Sequence, residues 1–370
     1  MLGMAAYIFK RLLLMIPTLL GIMLISFVII QFVPGGPVEK MIAELQGHNT
    51  SATSRFTGGT GDMGTTASAQ TNITQASKYK GAQGLDPEFI KELEAMYGFD
   101  KPAHTRFLIM LQNYLTFDLG ESYYRDIGVI DLVLEKMPIS ISLGLWSTLI
   151  IYLISIPLGI KKAVNDGSHF DIWTSAAVFV GYAIPSFMFA ILLIVLFAGG
   201  RYWDIFPLRG ILSDGWEDMT TLQMVLDYAW HMILPTAAMV ISGFASLTML
   251  TKNSFLDEIG KQYVLTARSK GLSENQVLYG HVFRNAMLIV IAGFPAAFVA
   301  IFFTSSLLIE VIFSLDGMGL LGYESIINRD YPVVLGTLYI FSLMSLFMHL
   351  IRDLVYVWID PRIDFESRGG

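Results

Sequence analysis

The sequence predicts an all-α membrane protein with six spans, and three observations carry that prediction. Of 370 residues, 54% are hydrophobic and only 15% charged, whereas a soluble domain carries about a quarter charged residues. Mean hydropathy is +0.57. Six apolar stretches reach the length of about 20 residues that crosses a hydrocarbon layer at 1.5 Å per residue. Cysteine is absent, which excludes disulfides, thiolate metal sites and a cysteine nucleophile. A formal charge of −7 offers no footing for nucleic acid.

The six stretches lie at about 12–33, 139–160, 172–199, 229–251, 286–313 and 333–351. The first follows Lys10 and Arg11 as a signal peptide would, but its apolar run is about twice a signal core and no Ala-x-Ala site follows. It reads as a retained anchor. Orientation comes from Lys and Arg in short loops. With the N-terminus inside, inner segments hold twelve of them, Lys161, Lys162, Lys252 and Arg268 included, against Arg201, Arg209 and Arg329 in the two short outer loops. Both termini are therefore expected in the cytoplasm, the second as a tail over 361–370.

Residues 34–138 then form a long periplasmic insertion after the first span. Its part 47–84 is rich in Gly, Ser and Thr and lacks the apolar surface to offset its ordering entropy, so a flexible segment is expected. Its part 85–138 is expected to be a helical cap. Phe89, Leu93 and Met96 share one face, and Phe107, Leu108, Leu111, Tyr114 and Leu115 follow at helical spacing. The chain thus divides into 1–33, 34–138, a span core over 139–360, and the tail.

The spans carry no Asp, Glu, Lys or Arg in their middles. An ion-coupled transporter needs such groups at membrane depth, and a membrane enzyme needs a convergent acid, base or metal cluster. The six His residues are scattered without metal-site spacing, and no phosphate-cradling Gly-x-x-x-x-Gly-Lys-Ser/Thr segment occurs. Energy for transport must then come from another subunit, which needs a docking surface on this chain. Gly181, Pro185, Ser186, Pro235, Gly243, Gly293 and Pro295 fall within spans. They read either as ordinary membrane-helix packing or as hinges and pathway residues.

The inner loop 252–285 is the most informative segment. Ser254-Phe-Leu-Asp257 fits an N-terminal capping box, Phe255, Ile259 and Tyr263 form an apolar stripe, and Gly271 stands where a left-handed cap ends a helix. Ser273-Glu-Asn-Gln276 is a second capping box, with Leu272 and Val277 as its hydrophobic staple. Two short helices about a sharp turn are expected. Such an elbow suits force transmission; the alternative is a helix pair lying on lipid headgroups.

Tyr263-Val-Leu-Thr-Ala-Arg-Ser-Lys-Gly271-Leu-Ser with His281-Val-Phe-Arg-Asn-Ala286 resembles the EAA-loop signature of ABC-importer permeases, and more narrowly the B-type permeases of the dipeptide/oligopeptide group. Tyr97-Gly-Phe-Asp-Lys-Pro102, Phe117-Asp-Leu-Gly-Glu-Ser122, Met137-Pro-Ile-Ser140, Gly181-Tyr-Ala-Ile-Pro-Ser186, Glu310-Val-Ile-Phe313, Arg329-Asp-Tyr-Pro332 and Asp360-Pro-Arg-Ile363 are similar to other motifs of that group, in order. The insertion and the Lys261–Gly271 wording are most like the Yej type of Gram-negative bacteria. The resemblance implies a type I importer permease fold in the inner membrane. It implies a second homologous permease, two ATPase subunits that use ATP and Mg, and a periplasmic peptide-binding protein as partners. No cofactor is implied for this chain itself. Oligopeptides, microcin C-like peptides among them, are the implied substrates. On the loop, Tyr263, Leu265, Thr266, Ala267, Arg268, Lys270, Gly271, Leu272, Ser273 and Gln276 are implied as the ATPase-coupling residues. Leu265 departs from the motif, which has Glu there.

Overall fold

The computed structural model describes residues 2–32, 38, 88, 91, 94–95, 99–200, 202–304 and 306–359. The segment 47–84, the Phe89, Leu93 and Met96 face, the Asp360–Ile363 motif and the tail 361–370 lie outside the described residues. Among the described residues, regular structure is helical apart from one isolated bridge between Glu121 and Gly128.

In chain order the helices are α1 (Leu2–Phe32), α2 (Ala103–Leu115), α3 (Val129–Val164), α4 (His169–Ala183), α5 (Ser186–Phe197), α6 (Thr221–Ile259), α7 (Gln262–Ser269), α8 (Glu274–Val277), α9 (Phe283–Thr304), α10 (Ser306–Ile312), α11 (Met318–Asn328) and α12 (Tyr331–Ile359). A single π turn, Leu278–Val282, joins α8 to α9. Five helices are long and apolar enough to cross a membrane, and a sixth span results if α4 and α5 count as one.

That pair departs from the expected straight span over 172–199. It bends by 95° at Ile184-Pro185. Proline lacks the N–H that would continue the ladder and pushes its predecessor out of the helical region; Ile184 accordingly has φ −86° and ψ 119°. Other boundaries move outward too: α1 starts at Leu2 rather than 12, α6 at Thr221 rather than 229, and α12 ends at Ile359 rather than 351. α3 starts at Val129 rather than 139, so the end of the expected cap is the first turns of a span. α6 runs on to Ile259, eight residues past the expected end.

The described chain forms two compact units. One comprises 1–11, 137–319 and 345–370, the other 12–136 and 320–344. In the first, α6 is central and packs on α4, α5, α9 and α10. Small residues set its approach to α3. A Cβ on Gly159 would stand 2.6 Å from the Thr251 Cβ, and one on Gly243 2.5 Å from the Ile151 Cδ1. Leu153, Val180 and Leu222 keep their apolar side chains exposed, as lipid-facing residues do.

The second unit holds α2. Phe107, Leu111 and Tyr114 turn inward, whereas Leu108 and Leu115, which share the helical spacing, point out. The Tyr114 and Tyr339 rings meet at 5.1 Å and those of Phe27 and Phe107 at 5.2 Å. Here two motifs distant in sequence come together. The Ser122 hydroxyl donates to Asp330 Oδ2 (2.5 Å), the Tyr123 N–H to Oδ1 (3.1 Å), and Arg125 pairs with Glu324 at 2.7 Å.

Candidate functional site

The loop between α6 and α9 is a rigid elbow with a different start from the one expected. Ser254 does not cap a helix; it sits within α6, and its hydroxyl donates to the Ala286 carbonyl at 2.6 Å. The capping pattern was overridden because α6 continues through it, packed on its buried face. The helical break comes at Gly260-Lys261, and α7 begins at Gln262. The apolar stripe survives the break. Phe255 is wholly buried, and Ile259 and Tyr263 pack on the same core.

The turn after α7 has the geometry the sequence predicts. Gly271 has φ +83°. Its N–H donates to the Arg268 carbonyl (2.9 Å) and the Leu272 N–H to the Ala267 carbonyl (3.5 Å), the bonding of a Schellman cap. A Cβ on Gly271 would meet nothing within 4 Å, so backbone conformation and not space demands glycine. Across the turn, the Gln276 side-chain oxygen accepts from the Ser273 N–H and hydroxyl, both at 3.0 Å, closing a capping box on α8. Arg268 pairs with Glu274 at 2.9 Å over the bend.

The elbow is seated rather than suspended. Val264, Ala267, Val277 and Val282 lie in one apolar core with Ile160 of α3 and Val290 of α9, and Leu272 packs on its edge. Of the motif residues, Ala267 therefore faces inward. Leu265, Thr266, Arg268, Lys270, Gly271, Ser273 and Gln276 are exposed, Leu265 to 50%. Burial pushes the Tyr263 phenol above its ordinary pKa, and its hydroxyl donates to Glu258 Oε2 at 2.8 Å. The same Glu258 meets Lys261, whose ammonium it holds more basic than usual.

Behind the elbow lies an ionic cluster that sequence reasoning missed. Lys162 and Lys252, counted there as loop cations, are buried around Asp171. Lys162 Nζ stands 2.9 Å from Asp171 Oδ1 and also donates to Thr174 and Ser175, while Lys252 Nζ lies 2.7 Å from Asp171 Oδ2 and 2.8 Å from Asp166. A buried charge survives only when paired and hydrogen-bonded, and this set ties α3, α4 and α6 together. The ladder of residues between them, 81 positions in the Asp171–Lys252 case, hides the contact from sequence periodicity. A second missed contact joins two motifs. The Ser140 hydroxyl donates to the wholly buried Glu310 at 3.0 Å and accepts the Met318 N–H at 2.8 Å, with Gly317 packed against both side chains.

The pathway candidates scatter. Pro185 and Ser186 mark the α4–α5 break, Pro235 is buried within α6, and Gly181 packs on Ile241. Pro295 lies within α9. Gly243 and Gly293 alone share a place, the lining of a cavity of about 390 Å³ among α3, α6 and α9. Among the described residues no group of His, Cys, Asp and Glu could hold a metal ion.

Comparison with known proteins gives this geometry its context. Residues 155–365 match the family described as binding-protein-dependent transport system inner membrane component. The chain is 62% identical to the peptidoglycan transport system permease protein YejB of Agrobacterium fabrum, covering 99% of this chain and 100% of that protein. It is 57% identical to the inner membrane ABC transporter permease protein YejB of Escherichia coli O157:H7, again over 99% and 100%. The oligopeptide transport system permease protein AppB of Bacillus subtilis is 32% identical over 98% of this chain. The chain belongs to the Yej-type ABC-transporter permeases, a branch of the binding-protein-dependent inner membrane components.

Proposed function

We propose that this chain is one of two permease subunits of an ATP-driven importer that carries peptide-containing solutes across a Gram-negative inner membrane. The observation that carries the reading is the elbow 261–277. It is capped on both sides of Gly271, rooted in the ends of α3, α6 and α9, and presents Leu265, Thr266, Arg268 and Lys270 outward. A stiff, span-rooted lever is the part such a machine needs from a subunit without its own nucleotide site.

In this reading, supported by the Lys and Arg asymmetry of the short loops, the elbow and both termini are cytoplasmic and the segment between α1 and α3 is periplasmic. Two ATPase subunits bind ATP and Mg and close on each other. The elbow follows the ATPase groove, and α3, α6 and α9 swing so that the pathway opens outward. Pro185 with Gly181 and Ser186, Pro235, Gly243, Gly293 and Pro295 are the positions where the spans can bend. A loaded periplasmic binding protein delivers the solute, and hydrolysis resets the bundle. Relatives are named for peptidoglycan, oligopeptide and dipeptide transport. The shared chemistry is a peptide, which supports short peptides, whether free, muropeptide-linked or carried on a microcin C-like conjugate, as the substrate class.

The test is purification of the tagged chain from its own membranes with identification of what elutes beside it, followed by uptake in proteoliposomes. An ATPase, a second permease and ATP-dependent peptide uptake are expected. Peptide uptake by this chain alone, driven by an ion gradient, would replace the reading with that of a secondary transporter.

A further inference from the structure

A cavity of about 390 Å³ opens among α3, α6 and α9, at the lower end of the range that holds small organic ligands. Its lining is rich in hydroxyls. Ser147, Thr148 and Tyr152 from α3 and Ser242 and Ser246 from α6 contribute hydroxyls, and among the described residues no Asp, Glu, Lys, Arg or His joins them. The Ser147 and Ser242 hydroxyls donate to carbonyls of their own helix, Leu143 (2.7 Å) and Met239 (3.2 Å), which leaves their lone pairs as acceptors. Thr148 differs. It is 97% buried, and its hydroxyl finds no hydrogen-bond partner, not even the carbonyl one turn back that a helical threonine ordinarily takes. A buried polar atom left so is costly, as it is for Thr236, Thr248 and Thr251 of α6. Of the four, Thr148 alone is in this lining, where a bound polar group would relieve the cost. On the facing helix, Gly293 lines the cavity with open space where its Cβ would stand.

We infer that this cavity is a subsite for the uncharged backbone of the transported peptide, an inference that rests on the peptide-importer reading above. Hydroxyls donate and accept, so they match both the N–H and the C=O of a peptide unit, each of which would otherwise be stranded away from water. An ionised side chain or terminus finds no counter-charge there and is held elsewhere along the path. Glycine at 293 lets the backbone approach closely, and the apolar Leu247 and Val290 of the lining make no polar demand on a side chain. The result is a site that reads peptide bonds and ignores sequence.

The chain has no cysteine, so a single reporter is clean. Leu250, on the cavity lining and 39% exposed, is replaced by Cys in the full importer in proteoliposomes, and thiol labelling of this chain is followed as trialanine is added. Trialanine should slow labelling, and Thr148→Val, which keeps the shape and removes the hydroxyl, should raise the concentration needed about fivefold, as loss of one hydrogen bond does. Gly293→Leu, whose Cβ has open space and whose longer side chain would fill the cavity, should abolish protection and lower maximal uptake at least tenfold. Trialanine uptake in the wild type together with unprotected Leu250→Cys, or with Thr148→Val and Gly293→Leu behaving as wild type, overturns the subsite alone. Absence of ATP-driven peptide uptake in the wild type overturns the importer reading and the subsite with it.

Discussion

Gly271 and Asp330 show how a single residue's physics reaches function, one through backbone and the other through charge. At φ +83° any L side chain costs about 1–2 kcal/mol, and proline, locked near −65°, cannot adopt the conformation at all. Gly271→Ala should lower the elbow's stability by about 1 kcal/mol, read as faster amide exchange over 262–277. Gly271→Pro should abolish peptide-stimulated ATP hydrolysis and weaken ATPase-subunit binding while membrane insertion persists; full coupling in that variant would deny the elbow its role. Asp330 lies outside the spans, and burial lifts its carboxyl pKa despite the Ser122 and Tyr123 hydrogen bonds that oppose the rise. The proton is then held more tightly in the folded chain than in the unfolded one, so this stabilising contribution is present at low pH and fades as pH rises above about 4 through the folded value. Asp330→Asn should flatten that part of the thermal-unfolding profile, and a profile unchanged by the substitution would contradict the assignment. Gly271 was legible because a left-handed cap leaves a local signature. Asp330 was not, since its partners sit more than 200 positions away.

Between elements, local signals misled wherever a longer-range contact outweighed them. Ser254 and Asp257 have the spacing of a capping box, yet the burial of Phe255 and the Ser254–Ala286 hydrogen bond carry α6 straight through. The α4–α5 break sits at a proline that the sequence marks plainly, but whether proline kinks a span or splits it depends on packing that no window of residues reports. The Lys162–Asp171–Lys252 cluster is the clearest loss, because lysines near a span end look the same whether they face water or each other. It also yields the sharpest test at this scale. Asp171→Asn leaves the buried Lys162 ammonium without a counter-charge and Lys252 with Asp166 alone, and should cost about 3–5 kcal/mol, seen as a lowered unfolding temperature of the detergent-purified chain. Adding Lys162→Met to Asp171→Leu removes two of the charges together and should recover part of that loss. If Asp171→Asn unfolds like the wild type, the cluster is not a clasp.

For the whole molecule, composition and six apolar runs made the helical membrane class legible, because lipid imposes span length directly. Less legible was which loops associate. Residues 99–136 belong with 320–344 in one unit, through pairs such as Ser122–Asp330 that only the folded chain reveals. The account requires that this chain move nothing by itself. In proteoliposomes the chain alone should show no ATP- or gradient-driven peptide uptake, and adding its partner subunits and ATP should restore it. The most direct measurement uses the absence of native cysteine. With Leu265→Cys on the exposed face of α7, a short bifunctional thiol reagent should join this chain to a single-cysteine ATPase subunit and halt peptide uptake, with reductive cleavage of the linker restoring it. Leu265→Cys that never cross-links to the ATPase in a complex that transports fully, or a cross-linked complex that still transports, would contradict the claim that the elbow carries the stroke.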